Sequence, residues 1–297
     1  MAVTGNSIRA HPFVPGDGIR VFKREGGTIA VSENDLELTR DALYVSSEGN
    51  AEIAVRDNTV EDSSRGIDAL TAGRVVVEGN SLRGISRSGV RARSADSTMV
   101  IANEILGRQG DDGGLDLSTS APDGSSVARS NTISGFNFGV TTQSNTTLAF
   151  NSLAGNLPTA ISHQGPGALA AENNWFGCNA GPGAPGCDAI AGTAAAEVDA
   201  DPHLVLALKA PSKLRKNRSA TLEATVRTNS AGETPQPFAF PDGTEIAFSA
   251  TKGTLTPGTS ETVGGLAQTT FKATKVGRAK VSATLDGETV TKTVRVG

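Results

Sequence analysis

The chain has 297 residues, 35 glycines, only 4% aromatic residues and a net charge of −4. This composition is unusual for a compact helical protein. It suits many short strands joined by tight turns, because such turns need glycine wherever φ is positive. No run of 18 uncharged apolar residues occurs, so we expect no transmembrane segment, and a net-acidic chain without a basic aromatic platform is not expected to bind nucleic acid. The start, MAVTGNSIRAHPF, lacks the pattern of a signal peptide, and the length suits two domains.

An asparagine recurs along the first part of the chain, two residues before a bulky apolar side chain, in segments such as GNSLRG and SNTISG. One repeat is too short to bury its own apolar face, so successive repeats must stack. Asparagine suits the turn, since its amide tolerates positive φ and can hydrogen-bond the amides above and below. The predicted structural ladder is Asn6, Asn34, Asn58, Asn80, Asn103, Asn131, Asn151 and Asn173.

Between the asparagines lies a second motif, Gly or Ala followed by alternating apolar and variable residues, as in GIRV from Gly18 and GVRA from Gly89. We expect coils of about 22 residues, each strand lying about 4.8 Å from its predecessor. These repeats resemble those of the right-handed parallel β-helix family, and the resemblance implies the handedness. The predicted fold of residues 1–202 is an all-β, right-handed parallel β-helix of about eight coils.

The third residue of each Gly-led strand should point outward and stack on the next coil. Asp68 and Asp116 would then lie about 9.6 Å apart with Arg91 between them, near the spacing that an inverting glycoside hydrolase uses. The simpler interpretation is a solvated ladder of cross-strand ion pairs, and a glycan-binding groove is a third. The weak catalytic candidates are Asp68, Arg91 and Asp116, and the candidate ligand-binding residues are Tyr44, Asp68, Arg91, Arg93 and Asp116.

Metal ligands are sparse. Asp111, Asp112 and Asp123 lie in one long insertion, where a calcium ion would need backbone carbonyls to complete its six or more oxygen ligands. A solvated loop is the simpler interpretation, with calcium as the alternative. The three histidines, His11, His163 and His203, are scattered. We therefore expect no metal and no cofactor.

The segment AENNWFGCNAGPGAPGCD, residues 171–188, holds the only Trp and both cysteines. Cys178 and Cys187 flank a loop of small and turn-forming residues, which favours a local disulfide and hence an extracytoplasmic location; two reduced cysteines or a metal site are the alternatives. An open last coil needs a cap, and Trp175 and Phe176 have the size to cover it. A surface Trp that binds sugar is the rival interpretation. The predicted cap is residues 171–202.

The composition changes near residue 202. Residues 1–202 hold 14 Lys and Arg against 24 Asp and Glu, whereas residues 203–297 hold 13 against 7. Long alternating strands such as SATLEATVRT and AKVSATL, separated by turns such as PDGT and LDGE, predict an antiparallel β-sandwich over residues 203–297. The run FPDGTEIAFSATKGTLTP, with AQTTFKAT and VGRAKVSATL, resembles bacterial Ig-like domains of the invasin and intimin type over residues 205–297, which implies a spacer or an adhesive module.

The leading functional prediction is a non-enzymatic secreted or cell-surface protein, adhesin-like or structural, with a possible glycan-contacting face on the β-helix. One alternative is a polysaccharide lyase or glycoside hydrolase that acts on an acidic polysaccharide. Another is a filament subunit, because the opposite charges of the two halves could steer copies head to tail. The expected partners are a glycan, a host or neighbouring cell surface, or further copies of the chain.

Overall fold

The computed structural model describes residues 1–11, 16–108, 112–119, 125–143 and 145–297. Almost all of their regular structure is β-strand, and one 3₁₀ helix occurs at Ala195–Glu197. The all-β prediction is confirmed. In this described part of the chain, no helix has the length and apolar character needed to span a bilayer.

Residues up to 199 form three parallel sheets. The first sheet contains β1 Ala2–Thr4, β4 Gly27–Ser32, β7 Ala51–Arg56, β10 Arg74–Glu78, β13 Ser97–Ile101, β16 Ser125–Arg129, β19 Thr146–Ala149, β21 Leu169–Ala170 and β23 Val198–Asp199. The second contains β2 Ser7–Arg9, β5 Asp35–Glu37, β8 Thr59–Glu61, β11 Ser81–Ile85, β14 Glu104–Gly107 and β17 Thr132–Ser134. The third contains β3 Ile19–Lys23, β6 Asp41–Ser47, β9 Arg65–Thr71, β12 Ser88–Ser94, β15 Gly113–Thr119, β18 Phe138–Thr142, β20 Thr159–His163 and β22 Ala189–Ala191.

The order of the strands makes this region a parallel β-solenoid. The chain visits the three sheets in turn, and each strand from β4 to β19 pairs with the strand three places earlier. Six coils place a strand in all three sheets. Beyond them the second sheet continues only as isolated bridges, Thr132 to Ser152 and Ser152 to Trp175. The prediction of about eight coils was therefore too high.

The core of the solenoid consists of stacked aliphatic side chains. Ile67, Val90 and Leu115 occupy matching positions in the third sheet and are buried, as are Leu82 and Ile105 in the second sheet. Glycine leads most third-sheet strands because the next coil passes so close, and alanine takes its place in others, as at Ala42. A Cβ added at Gly89 would lie 2.3 Å from the carbonyl oxygen of Gly114, so any side chain there would separate the coils.

The turn between the first and second sheets holds the asparagine ladder. The Asn103 Oδ1 accepts hydrogen bonds from the backbone N–H and the Nδ2 of Asn80, at 2.9 Å each, and the same pair of bonds recurs from coil to coil. At the last rung the acceptor is the Oδ1 of Asn174, which binds Asn151. The placement of Asn173 in the ladder was therefore wrong. Asn173 occupies the positive-φ corner just before the ladder, at φ 57°.

Two sheets follow the solenoid. One contains β24 Leu204–Lys209, β26 Ser219–Asn229, β30 Leu266–Ala273 and β28 Gly253–Thr256, all antiparallel. The other contains β25 Lys213–Leu214, β32 Glu288–Val296, β31 Gly277–Leu285, β27 Glu245–Ala250 and β29 Thr259–Glu261, with one parallel pair between β25 and β32. Strict alternation of buried and exposed residues in β30 shows that these sheets bury one face and expose the other.

Candidate functional site

The outward face of the third sheet carries the predicted row of polar side chains. The register places Arg20 opposite Tyr44 and Tyr44 opposite Asp68. It continues from Asp68 to Arg91 and on to Asp116, and ends at Thr141 and Ser162. The structure thus brings the five candidate ligand-binding residues to one face, because Arg93 lies two positions beyond Arg91 on the same strand.

The centre of this row is a chain of ion pairs. Arg91 lies between two carboxylates, with its Nη1 3.5 Å from Asp68 Oδ2 and its Nε 3.5 Å from Asp116 Oδ2. Arg93 approaches the same Asp116 oxygen at 3.7 Å. Burial raises the pKa of Asp68, and the charges of Arg91 and Arg93 oppose that rise.

This geometry suits binding better than hydrolysis. A glycoside hydrolase needs one carboxyl group that carries a proton and open space for a water and a sugar between the two. Here the guanidinium of Arg91 fills the space between Asp68 and Asp116. An arginine that is held between two carboxylates, as Arg91 is, can instead present N–H donors to an anionic or hydroxylated ligand.

A second ion cluster, which was not predicted from the sequence, lies beside the row. Asp41 pairs with Arg65 at 2.8 Å and with Arg20 at 3.4 Å, and Asp17 pairs with Arg20 and Arg40. Burial would raise the pKa of Asp41, but the hydrogen bond and charge of Arg65, with the other arginines, outweigh it and lower that pKa. The available signal was the alternation of Asp and Arg just before the Gly-led strands.

A second outward row runs next to the charged one, with two exposed apolar residues before it reaches Arg93. Phe22, Ser46 and Leu70 are in register on consecutive coils. Phe22 is 54% exposed and Leu70 41% exposed, whereas the small Ser46 between them is buried. Arg20 lies over the ring of Tyr44, 5.2 Å from its centroid, and fixes the aromatic at the border of the two rows. The face therefore combines exposed apolar side chains with arginines that are held by ion pairs.

The insertion offers no metal centre in the residues that the structure describes. Asp112 lies 3.8 Å from Arg87, so it is part of an ion pair. Asp111 and Asp123 lie outside the described residues. Within the described ranges, no group of three or more His, Cys, Asp or Glu side chains could hold a metal ion.

The segment that ends the solenoid is closed by a bond between Cys178 and Cys187, whose Cα atoms lie 5.3 Å apart. Phe176 is fully buried in the solenoid core. Trp175, the preceding residue, points the other way and is fully buried in the core of the C-terminal sheets, together with Phe150 and Ala154. Trp175 therefore does not cover the end of the coil, because its position on the second sheet faces outward and the C-terminal sheets pack against it.

Polar contacts reinforce this junction. The Trp175 Nε1 donates a hydrogen bond to Asp286 Oδ2 at 2.7 Å, and the Asn179 Nδ2 donates to the Leu206 carbonyl oxygen at 2.9 Å. His203 lies beneath the disulfide-closed loop, with Nδ1 3.0 Å from Asp201 Oδ1 and Nε2 3.1 Å from the Asn179 carbonyl oxygen. The only Trp is thus an anchor between the two halves, which the sequence could not indicate.

The family model described as periplasmic copper-binding protein (NosD) matches residues 1–179. The chain belongs to the NosD family. As a member of a periplasmic family, it is extracytoplasmic, which agrees with the bridged cysteines.

Solved structures resemble part of the chain. One is "D0-D1 domain of Intimin", with 20% identity, a TM-score of 0.26, and coverage of 33% of this chain and 51% of that one. Another is "Crystal structure of the S-layer protein SbsC domains 4 and 5", with 17% identity, a TM-score of 0.24, and coverage of 33% and 55%. The chain spans about half the length of these two structures. No curated protein matches it.

Copper prefers thiolate, thioether and imidazole ligands, and the described donors of this NosD-family chain do not fit such a centre. The sulfurs of Cys178 and Cys187 are bonded to each other. The imidazole of His163 contacts the Gly167 carbonyl oxygen, and the Met99 sulfur accepts a hydrogen bond from Arg74.

Proposed function

We propose that this chain is a non-enzymatic surface or secreted protein whose right-handed β-helix contacts a glycan, and whose C-terminal sheets form an Ig-like module that positions the helix. The observation that carries the proposal is the outward face of the third sheet, where the ion-paired Arg91 and Arg93 lie on the same face as the exposed side chains of Phe22 and Leu70. Copper binding, which the family description names, is not part of the proposal.

A sugar ring has an apolar face and a rim of hydroxyl groups. Phe22 and Leu70 offer apolar surface of matching character on either side of the small Ser46. Arg91 and Arg93 offer N–H donors, and an acidic glycan would add charge-assisted hydrogen bonds to them. Because Asp68 and Asp116 hold the arginines in place, little side-chain entropy is lost on binding.

A glycan array read for both binding and released products tests the proposal. We expect acidic glycans to bind without cleavage, and Arg91→Ala to weaken binding roughly tenfold or more through loss of a charge-assisted contact. The matched control is Arg56→Ala, which removes an arginine that pairs with Glu78 on the first sheet. Cleavage products that disappear in Asp116→Ala would overturn the proposal in favour of a lyase or hydrolase, and equal binding by both arginine variants would remove this face from the proposal.

A further inference from the structure

The C-terminal half carries a cluster of cations at the end that lies away from Trp175. Four segments meet there through backbone hydrogen bonds, among them Arg295 N–H to Ser212, Asn217 N–H to Ala273 and Thr274 N–H to Lys252. We call this surface the basic tip and define it as residues 210–218, 251–253, 273–278 and 295–297. Its cations are Lys213, Arg215, Lys216, Arg218, Lys252, Lys275, Arg278 and Arg295.

The basic tip is exposed, and acidic residues do not balance its positive charge. All eight cationic residues are exposed, and no acidic side chain occurs in the four segments. Among the residues that the structure describes, none of the eight forms an ion pair. Val276, a large apolar residue that is 59% exposed, lies within the cluster. Eight cations without ion-pair partners in the described residues create a positive potential that attracts acidic partners.

The register of the strands shows that the clustering has a cost. Arg295 lies directly opposite Arg278 on β31 and opposite Lys213 on β25. Like charges at directly opposed positions destabilise a sheet, and such departures from local rules are expected where a surface has a function. Beside them is a depression lined by Lys213, Leu214, Arg215, Arg295, Val296 and Gly297. An acidic side chain from a partner would fit this depression by charge.

The solenoid carries a complementary surface. Glu33 and Asp57 occupy the exposed positive-φ corners of the second and third coils, and Asp35 and Glu61 lie next to them on the second sheet. None of these four forms an ion pair within the described residues. Glu37 and Glu61 are also like charges directly opposite each other. We call Glu33, Asp35, Asp57 and Glu61 the acidic corner.

We infer that the basic tip of one copy docks on the acidic corner of a second copy, so that copies associate head to tail. The two halves carry net charges of −10 and +6, which steers that encounter over the alternative orientations. A heterologous contact of this kind extends into filaments when it does not close into a ring. The basic tip has no aromatic residue on which nucleobases could stack, which favours a protein surface over a single-stranded nucleic acid.

Sedimentation velocity of the full chain at low and high salt tests the inference, independently of the glycan-contacting face. We expect assembly at about 20 mM NaCl and dissociation at about 500 mM, where the Debye length is only a few Å. The tip variant Lys213→Glu, Arg215→Glu, Lys275→Glu should be monomeric at low salt. So should the corner variant Glu33→Lys, Asp35→Lys, Glu61→Lys.

Mixing the tip variant with the corner variant is the decisive experiment, because each variant retains the intact surface that the other lacks. An equimolar mixture of the two monomeric variants should assemble again. Lys213→Arg with Lys275→Arg keeps the charge and should assemble like the unmodified chain, which controls for effects of substitution alone. A monomer at every salt concentration, or a mixture that stays monomeric, overturns the inference. Fluorescent polygalacturonate bound through the tip by a chain that does not self-associate would also overturn it and assign the tip to an acidic polysaccharide.

Discussion

The asparagine ladder allows a position-dependent test of what holds the coils together. Asn103 lies in the middle of the ladder and is buried. Its Nδ2 donates to the carbonyl oxygens of Val77 and Ile101 and to Asn131 Oδ1, each at 3.0 Å, and its Oδ1 accepts two hydrogen bonds from Asn80. Asn103→Ala removes all five contacts at once.

The magnitude follows from the groups that are left unpaired. The backbone N–H of Asn80 is buried and keeps no acceptor, at a cost of about 1–3 kcal/mol, and the carbonyl oxygens of Val77 and Ile101 each lose a donor. We expect the free energy of unfolding to fall by about 3–5 kcal/mol. Asn6 is the matched control, because it is exposed and, within the described residues, its Nδ2 donates to two acceptors, Thr4 and Asn34. We expect Asn6→Ala to cost about 1 kcal/mol or less.

Urea unfolding followed by far-ultraviolet circular dichroism measures both values. Since both variants remove the same side-chain atoms, composition and helix propensity cannot account for a difference between them. If Asn103→Ala and Asn6→Ala cost the same within about 1 kcal/mol, the ladder does not hold the coils together and the stacked aliphatic core alone does.

Three further predictions concern the junction and the cap. Trp175→Phe keeps an aromatic ring but leaves Asp286 without its donor, so thermal unfolding should occur at lower temperature; an unchanged midpoint would show that the bond contributes nothing. Burial raises the pKa of Asp188 to about 6. The Asp188 carboxyl therefore stabilises the fold most below its unfolded-state pKa of 3.8, and this stabilisation is lost as the pH rises through about 6. Asp188→Asn should remove that loss, measured as the difference in unfolding free energy between pH 4 and pH 7, and parallel pH curves for the variant and the unmodified chain would contradict this. Cys187→Ser opens a loop with a sequence separation of 9 and should cost about 2.5 kcal/mol in urea unfolding, whereas an unchanged midpoint under oxidising conditions would refute this.

The repeat could be predicted from the sequence because its signal is local. An asparagine two residues before an apolar side chain fixes both the turn and the first inward residue of the next strand, and stacking follows because no single coil buries its apolar face. The number of coils was harder to predict from the sequence. Between Ser152 and Trp175 the motif persists in sequence, but the second sheet is reduced to isolated bridges.

The error at Asn173 shows where local patterns end. The segment ENNWFG contains two asparagines, each two residues before an aromatic, so the pattern fits both alignments. The choice between them depends on whether Trp175 or Phe176 faces the solenoid core. That in turn depends on the C-terminal sheets, which offer Trp175 a buried site and, in Asp286, a hydrogen-bond acceptor 111 positions away. A contact between residues so far apart in the sequence gives no signal in the spacing of the repeats.

The candidate face was predictable as a row but not as a surface. The period of the repeat places Asp68, Arg91 and Asp116 on one line, and the structure adds that Arg91 bridges the two carboxylates. Side-chain pairing within a row depends on rotamers that the neighbouring coils select. The exposed Phe22 and Leu70 were missed because an isolated apolar residue at an outward position looks the same in sequence as one at an inward position.

The junction links the two proposed surfaces mechanically. Phe150, Ala154 and Trp175 belong to the last coils of the solenoid, yet they pack in the core of the C-terminal sheets. A shared apolar core resists relative movement far better than a solvated linker does, because any displacement exposes buried side chains to water. The basic tip is therefore held at a defined distance from the solenoid of the same copy, and a head-to-tail contact through it would repeat with one geometry along a filament.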